Sequence, residues 1–473
     1  MMRTSILLLF AACVFSPVVA DDGESGLDGF SDPDQEGTDS EAKEGDAPDN
    51  AKGPRKPDGD EGAPALEKPL QERVNAAIKN GVEWLKKRQG ADGSWGPVKA
   101  NRKYDTQEFG DFTRDPTGPT SFSVYALSKC GVSRKDPVMV KGINWVKAQA
   151  GKPIQLVREA GSSAGGGDDA KSSGSHALTT YELASVVLMI EAVNTKSGKL
   201  TSKRAQKRLV SDNPNQPPKG SPFTLSKDKS GEAEWDWMHE CIQLLTTGIH
   251  IGAKPGRSGL NINGNQNQNG GWRYGQAAAN DQDLSATQFV LLAFRAASQA
   301  GFPVEKVAPK TWEWAANFVK QAQVGEGGFA YRVGEAWSAG MDACGVGSLL
   351  ICKEQLQLAK MQVPPWIDGA IEKGIGHLDQ VFSAQENKGY HDGSSNHFYY
   401  LYAVERVGDL TGRKVFNQMD WYVRGATMLC DSQAQNGSWT DSTTYEPRDV
   451  LGTCFALLFL KRATIPVITT NEE

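Results

Sequence analysis

The sequence lacks several features that mark common classes of protein. After residue 20, no stretch provides the ~20 uninterrupted apolar residues of a membrane-spanning helix, so no membrane span is expected. Few cysteines follow residue 20 and none forms a CxxC pair, which argues against a disulfide scaffold and a thiol oxidoreductase. The sequence also contains no Walker loop, HExxH or DDxxD motif, so the phosphate, metalloprotease and magnesium–diphosphate sites built on them are not indicated.

The two ends of the chain differ in composition from the rest. Residues 1–20 combine a basic start, an apolar middle and small residues before Asp21, which predicts a cleaved signal peptide and export to the periplasm, envelope or medium. Residues 21–65 are predicted to be a disordered acidic linker, because they contain almost no large apolar side chains. A basic segment at 199–208 is interpreted as a solvated loop, and no nucleic acid partner is expected.

A repeated frame of glycine, glutamine and aromatic residues organises the rest of the chain. The segments GVEWLKKRQGADGSW (81–95) and GATMLCDSQAQNGSW (425–439) carry Gly, Gln, Gly and Trp at the same offsets. A third copy contains Gln323, Gly327 and Phe329. Each copy predicts an amphipathic helix that breaks at glycine in a tight turn, which returns an aromatic ring to the helix. The glutamine is expected to bind backbone groups left unpaired at the helix end, so we interpret these residues as structural clasps.

A second frame of more uniformly apolar segments falls between the clasps. Three of these segments begin at Thr120, Thr287 and Thr453, and three others fit more loosely. Uniform apolarity is typical of helices buried on both sides, so residues 66–467 predict six helix pairs, followed by a tail at 468–473. Such pairs build an open solenoid or a ring. The apolar last repeat favours closure, and we expect an all-α domain forming a single α6/α6 toroid with six outer and six inner helices.

The clasps resemble the QW repeats of squalene and oxidosqualene cyclases. Residues 70–465 as a whole resemble the prenyltransferase and squalene cyclase toroid superfamily of terpenoid cyclases. The ending DVLGTCFALLFLKRA, preceded by YYLYAVERVG, is similar to an exported and mostly uncharacterised branch found in planctomycete-type bacteria. The resemblance implies a toroid whose central cavity binds an apolar, isoprenoid-type ligand and processes it.

One candidate catalytic residue follows from this resemblance. In the cyclases, a DxDD motif at the start of an inner helix protonates the polyene, and the segment from Asp281 to Leu284 is similar to it. Asp283 falls at the position of the proton donor, although Leu284 replaces the last aspartate of the motif. Asp449 lies at the equivalent place in the final repeat, so a carboxylate that caps an inner helix explains both positions as well.

A possible zinc site is the second candidate. Asp342, Cys344 and His397 resemble the ligands of protein prenyltransferase β subunits, which hold zinc with Asp and Cys two residues apart and a His on a following helix. Three protein ligands would leave one position open for a substrate. Alternatively, Cys344 is a small buried apolar residue and His397 is a cap or a satisfied core residue.

Aromatic residues on the buried helices are candidates for lining the cavity. They are Phe122, Tyr125, Phe289, Phe294, Phe398, Tyr399, Tyr402, Phe455 and Phe459. Because carbohydrate-active toroids also exist, Asp283, Asp342 and Glu335 are considered as a possible acid pair. A non-catalytic envelope scaffold on a disordered tether remains the competing interpretation, and the sequence identifies no protein partner.

Overall fold

The computed structural model describes most of the helical region of the chain. The described residues are 67–96, 116–162, 180–195, 215–219, 221, 223, 230–247, 270–273, 282–307, 310–390, 393–440 and 447–463. The predicted signal peptide at 1–20, the predicted acidic linker at 21–65 and the tail at 468–473 lie outside the described residues.

Helices make up most of this part of the chain. They are α1 (Lys68–Lys87), α2 (Thr117–Lys129), α3 (Pro137–Ser162), α4 (Thr180–Asn194), α5 (Ser230–Thr247), α6 (Leu284–Gln299), α7 (Val304–Val307), α8 (Thr311–Gln321), α9 (Ala339–Leu358), α10 (Ile367–Val381), α11 (His397–Thr411), α12 (Trp421–Ser432) and α13 (Arg448–Lys461). Two short antiparallel pairs accompany them, β1 (Gln323–Val324) with β2 (Gly328–Phe329) and β3 (Val415–Phe416) with β4 (Met419–Asp420).

An inner layer of helices closes on itself. Helix α2 contacts α4, α4 contacts α6, α6 contacts α9, α9 contacts α11, α11 contacts α13, and α13 returns to contact α2. Nearly every residue of α4, α9 and α11 is buried, as expected for helices covered on both sides. The prediction of an all-α toroid is therefore confirmed.

An outer layer packs around this ring. Helix α3 contacts α2, α5 contacts α4, α8 and α10 contact α9, α12 contacts α11 and α13, and α1 contacts α13. These helices are amphipathic, and α1 buries Val74, Ala77, Gly81 and Leu85, which recur at helical spacing on one face. Among the described helices, none has the length and apolarity that crossing a membrane requires. The six cysteines of the described residues are all unpaired thiols.

Each tryptophan clasp connects an outer helix to an inner one. Trp95 donates from its indole Nε1 to the Leu85 carbonyl oxygen, over 2.7 Å, and so satisfies a carbonyl at the end of α1. The backbone N–H of Trp95 donates to Oγ1 of Thr120 on α2, over 3.0 Å. The same two bonds recur with Trp272, Leu245 and Thr287, and with Trp439, Leu429 and Thr453.

The clasp glutamines also connect neighbouring outer helices. The amide of Gln89 donates both to the Gly93 carbonyl oxygen within its own turn and to the Val138 carbonyl oxygen of α3, each over 2.9 Å. The glutamine binds backbone oxygens, but one lies in the turn and the other lies within the next outer helix rather than at the end of its own helix. Equivalent pairs of bonds are made by Gln323 to Gly327 and Ala370, and by Gln433 to Gly437 and Ala77.

Candidate functional site

Four aromatic rings from different inner helices pack together inside the ring of helices. Phe122 of α2 lies 5.1 Å from Phe455 of α13 and 6.0 Å from Phe289 of α6, measured between ring centroids. Tyr399 of α11 stacks on Phe289 at 6.2 Å and meets Phe455 edge-on at 5.6 Å. These four rings, called the aromatic cluster below, are in van der Waals contact across the interior. The four side chains therefore fill the interior of the ring of helices where they lie, as core residues do.

The other predicted lining residues divide into two groups. Tyr125 lies 5.8 Å from Phe122, and Tyr402 lies 5.8 Å from Phe455, so both extend the aromatic cluster. Phe398, the second residue of α11, stands apart from them and lies against Gly452 of α13.

Phe294 and Phe459 require a correction. Phe294 meets the rings of Trp272 and Trp312, each at 5.9 Å, and Phe459 lies 5.9 Å from Trp421 and 5.6 Å from Tyr422. Both rings therefore fill the space between the inner and outer layers. The expectation that they line the interior is wrong, because the helix faces on which they lie point at tryptophans of the outer helices, Trp312 and Trp421.

A polar network adjoins the aromatic cluster at the hydroxyl of Tyr399. This oxygen accepts a hydrogen bond from Nε2 of Gln288 over 2.9 Å and lies 2.8 Å from Oγ of Ser285. Ser285 also accepts from the Tyr181 hydroxyl over 2.8 Å, and the Cys344 sulfur lies 3.3 Å from the Tyr399 oxygen. Residues of α4, α6, α9 and α11 thus meet at one buried point.

Cys344 and Tyr399 are neutral at physiological pH. Burial raises the pKa of the Cys344 thiol to about 11, and it raises the pKa of the Tyr399 hydroxyl well above its usual value. Cys344 is therefore a thiol rather than a thiolate, and it lacks the charge that makes cysteine a strong nucleophile or metal ligand.

The oxygen of Gln288 leads from this network to a buried arginine that the sequence analysis did not single out. Nη2 of Arg406 donates to Oε1 of Gln288 over 2.6 Å, and its guanidinium carbon lies 4.1 Å from the centre of the Tyr402 ring. Arg406 is only 1% exposed. The available signal was the pair Glu405 and Arg406 within the otherwise apolar and aromatic stretch YYLYAVERVG.

Open space lies beside α9, next to the network. Gly347 is buried, yet among the described residues no atom outside its own stretch of helix backbone lies within 4 Å of the position that a Cβ atom would take there. Gly345, two residues earlier, is the opposite case, because the ring of Phe329 occupies that space at 2.4 Å. Within the described residues, the buried hydroxyls of Ser348 on α9 and Ser185 on α4 have no hydrogen-bond partner.

The predicted zinc ligands do not converge. Asp342 faces outward and binds the backbone N–H of Phe329, Cys344 faces Tyr399, and Nε2 of His397 lies 3.1 Å from the Ala384 carbonyl oxygen. Across the described residues, no group of three or more His, Cys, Asp or Glu side chains is arranged to hold a metal ion. The ligand assignment is wrong for this chain because each of the three side chains is directed at a different partner, so Asp342, Cys344 and His397 do not meet at one point. These residues do not fit a zinc ion.

Asp342 instead takes the place of the clasp threonine in its repeat. Its Oδ1 accepts from the Phe329 N–H over 2.6 Å, as Thr120 does from Trp95. Its Oδ2 lies 2.8 Å from Nδ1 of His377 on α10, and this bond raises the pKa of His377. Burial raises the pKa of Asp342. The sequence analysis missed His377, although the change from threonine to aspartate in the frame was a visible signal.

Asp283 has the contacts of a helix cap. It is the N-cap of α6, and its Oδ1 accepts from the Ala286 N–H over 2.7 Å. Its Oδ2 pairs with Nη1 of Arg273 over 2.9 Å, and Arg273 also donates to the Tyr331 hydroxyl. Burial raises the pKa of Asp283 to about 6, and this effect exceeds the opposing effects of the cap bond and of Arg273. Its catalytic role stays a prediction.

The three carboxylates considered as an acid pair serve different local contacts. Glu335 is exposed, and its Oε2 accepts from the Arg332 N–H at 3.3 Å. Asp283 and Asp342 are buried and bind the backbones of α6 and β2, respectively. A pair of carboxylates around one glycosidic bond therefore stays a prediction as well.

Comparisons with known proteins found one family model that matches part of the chain and several solved structures that resemble it. Residues 63–162 match the model of the squalene-hopene cyclase C-terminal domain. The chain is similar to the type II terpene cyclase MstE from Scytonema, solved as a variant with its product merosterolic acid A, at 10% identity and a TM-score of 0.43, covering 84% of this chain and 99% of that chain. No match was found among the curated proteins.

Two further solved structures resemble the chain. A glycosidase variant has 10% identity and a TM-score of 0.42, covering 84% of this chain and 99% of that chain. A protein from Actinoplanes has 14% identity and a TM-score of 0.40, covering 82% of this chain and 99% of that chain. The family match concerns residues 63–162, and the assignment of the whole chain to the squalene cyclase and prenyltransferase superfamily stays a prediction.

Proposed function

We propose that this chain is an exported toroid protein that binds an apolar, isoprenoid-type ligand inside its ring of helices. The observation that carries the proposal is the open space at Gly347, which lies in an inner helix one turn from Cys344 and the polar network. Space beside a buried helix, next to aromatic rings and a few convergent polar groups, is the usual composition of a small-molecule site.

The chemistry of the surrounding side chains favours an apolar chain as the ligand. The aromatic cluster offers ring faces and edges that pack against unsaturated hydrocarbon. The thiol and hydroxyl groups beside it are neutral, because their pKa values are raised by burial. Burial of an isoprenoid chain there gains about 25 cal/mol for each Å² of apolar surface removed from water.

Proton-initiated cyclisation is less well supported than binding. A proton donor in such a reaction has to be protonated when the substrate arrives. Asp283 has a pKa of about 6 and forms an ion pair with Arg273, so it is largely ionised at neutral pH. The same carboxylate is mostly protonated only below about pH 6, so we assign the site to binding first.

A second function is a rigid scaffold without a ligand. The observation that favours it is the close packing of the aromatic cluster, whose rings contact one another across the interior. A ring filled in this way resembles the core of an ordinary domain. In that case the functional surface would lie outside the ring.

Native mass spectrometry of the purified protein separates the two functions. The protein is incubated with geranylgeraniol, and also extracted with organic solvent to identify any lipid that co-purifies. A retained adduct of one geranylgeraniol per chain, or a co-purified isoprenoid, supports the binding function. A chain that retains no lipid under conditions that preserve the fold supports the scaffold.

Export is a separate part of the proposal and rests on residues 1–20 alone. N-terminal sequencing of the mature protein from its own cells is expected to begin at Asp21. Retention of Met1 in the mature protein would overturn it.

A further inference from the structure

Arg406 is a buried cation for which the described residues supply no counter-ion. Its Nη1 atom has no hydrogen-bond partner, and its side chain forms no ion pair with any carboxylate of the described chain. The contacts that it does make are neutral, namely the hydrogen bond to Gln288 and the stacking on Tyr402.

The charge of this side chain cannot be removed by proton loss. The guanidinium group stays protonated in proteins, unlike the buried thiol and hydroxyls around it. An isolated charge inside a protein is costly, and the usual outcome is that it is paired with an anion or coordinated. An arginine that is 1% exposed and partly unpaired is therefore an exception that requires a functional reason.

The acidic groups near Arg406 do not serve as its counter-ions. Glu405 is the next residue along the chain, but it hydrogen-bonds Asp409 and interacts with Arg462, and no ion pair joins it to Arg406 in the described part of the chain. Cys344 remains a neutral thiol, with a pKa of about 11. The charge of Arg406 is felt at Cys344, whose pKa it lowers against the effect of burial, so this cation lies close to the polar network.

The side chains around Arg406 hold it in place. Gln288 donates to Tyr399 with its nitrogen, which leaves its oxygen to accept from Nη2 of Arg406. The ring of Tyr402, one helical turn earlier on α11, covers the guanidinium plane at 4.1 Å. With Nη2 and the plane occupied, Nη1 is the part of the guanidinium group available to a ligand.

We propose that Nη1 of Arg406 binds the carboxylate of an acid whose apolar chain lies inside the ring of helices. The inference rests on the proposed function for the apolar chain, and it adds that the ligand carries a negative charge. A carboxylate is compensated by the arginine and receives a charge-assisted hydrogen bond, which is about twice as strong as a neutral one. On the neighbouring helix α9, Ser348 lies one turn after Cys344, and its buried hydroxyl has no hydrogen-bond partner within the described residues.

The test compares two ligands that differ only in the head group. Farnesoic acid and farnesol are titrated into the purified protein by isothermal calorimetry at pH 7.5, and sodium acetate is added separately as a free carboxylate. The acid is expected to bind at least about tenfold more tightly than the alcohol, as a charged hydrogen bond to a buried partner predicts. Equal affinities for acid and alcohol would overturn the inference without any variant.

Two variants assign the preference to Arg406. Arg406→Met keeps an unbranched side chain over Tyr402 and removes the charge, so the preference for the acid over farnesol should disappear. Arg413→Met removes a half-exposed arginine near the end of the same helix and should leave the preference unchanged. Persistence of the preference in Arg406→Met would contradict the inference.

The remaining outcomes separate this inference from the proposed function. If neither isoprenoid binds but acetate raises the melting temperature of the native protein and not of Arg406→Met, the carboxylate site stands and the isoprenoid function fails. If farnesol binds and farnesoic acid binds no more tightly than farnesol, the proposed function stands and the carboxylate site fails. If none of the three binds, both are overturned.

Discussion

The side-chain amide of Gln433 donates a hydrogen bond to the Ala77 carbonyl oxygen over 2.9 Å, and so connects the last outer helix to the first. The ring of Trp439 lies against Gly81 of the same first helix, in the position where Trp95 lies against Gly142. The seam between the two ends of the ring is thus built like the seams between consecutive repeats. The ring closes because the last repeat contacts the first helix through the same kind of clasp that joins consecutive repeats.

Replacement of this glutamine tests the closure. Gln433→Ala and Gln89→Ala each remove two hydrogen bonds to backbone oxygens, which costs about 1–3 kcal/mol of unfolding free energy. We expect similar losses for the two variants in urea denaturation, because both seams contribute to one cooperative unit. A negligible loss for Gln433→Ala beside a clear loss for Gln89→Ala would show that the ends of the ring separate in solution.

The glycine of the clasp turn should be sensitive to any added carbon. Gly327 has φ +128°, and a Cβ atom there would lie 2.3 Å from the Lys373 carbonyl oxygen of α10. Gly334 has φ +90°, but no atom lies within 4 Å of its Cβ position, so it is a matched control for the backbone strain alone. Gly327→Ala should therefore cost ~1–3 kcal/mol more than Gly334→Ala in thermal or urea unfolding. Equal costs would mean that α10 is not packed on this turn.

Asp342→Thr should convert the third clasp to the arrangement of the tryptophan clasps. Threonine keeps an acceptor for the Phe329 N–H but removes the partner of His377, so the pKa of His377 should fall. In the native protein this pair stabilises the fold below about pH 6.5, and the contribution is lost as the pH rises through the raised pKa of His377. NMR titration of the imidazole measures the pKa of His377 in the two proteins, with His377→Gln to assign the resonance. Urea denaturation at several pH values measures the contribution to stability. An unchanged titration in Asp342→Thr would contradict the contact.

The pH dependence of stability should change in Asp283→Asn. The pKa of this carboxyl rises on folding from 3.8 to about 6, so its favourable contribution is complete below pH 3.8 and is lost as the pH rises through 6. Between these pH values the stability of the native protein should fall relative to that of Asp283→Asn, by roughly 3 kcal/mol. Urea denaturation at several pH values measures the difference. If the native protein instead gains stability relative to Asp283→Asn as the pH rises, the ion pair with Arg273 outweighs burial.

The clasps and the two layers could be predicted from the sequence for a physical reason. A turn pressed on the backbone of the next helix tolerates only glycine, as Gly93, Gly327 and Gly437 show, so the same letters recur at the same offsets. Helices covered on both sides have uniformly apolar sequences, and helices covered on one side do not. Composition and spacing therefore carried the information about the fold.

The site could be predicted only in part, because side-chain direction decided it. Asp342 and Cys344 are two residues apart, but one binds Phe329 and the other faces Tyr399, and letter spacing does not reveal this. The role of Arg406 depends on which neighbours are absent, and that becomes visible only when the helices are assembled. Likewise, Phe294 and Phe459 have the composition of lining residues but lie on the outward faces of their helices.

The central claim of this account is that a ligand occupies the interior of the ring at the open space beside Gly347. The measurement that tests it most directly is the affinity for geranylgeraniol, by calorimetry, of Gly347→Leu and of Gly376→Leu. Both positions are helical with no atom within 4 Å of the Cβ position, but Gly347 is buried and Gly376 is exposed on α10. The account predicts that Gly347→Leu folds and loses binding, while Gly376→Leu binds like the native protein. Unchanged binding in a folded Gly347→Leu would contradict it.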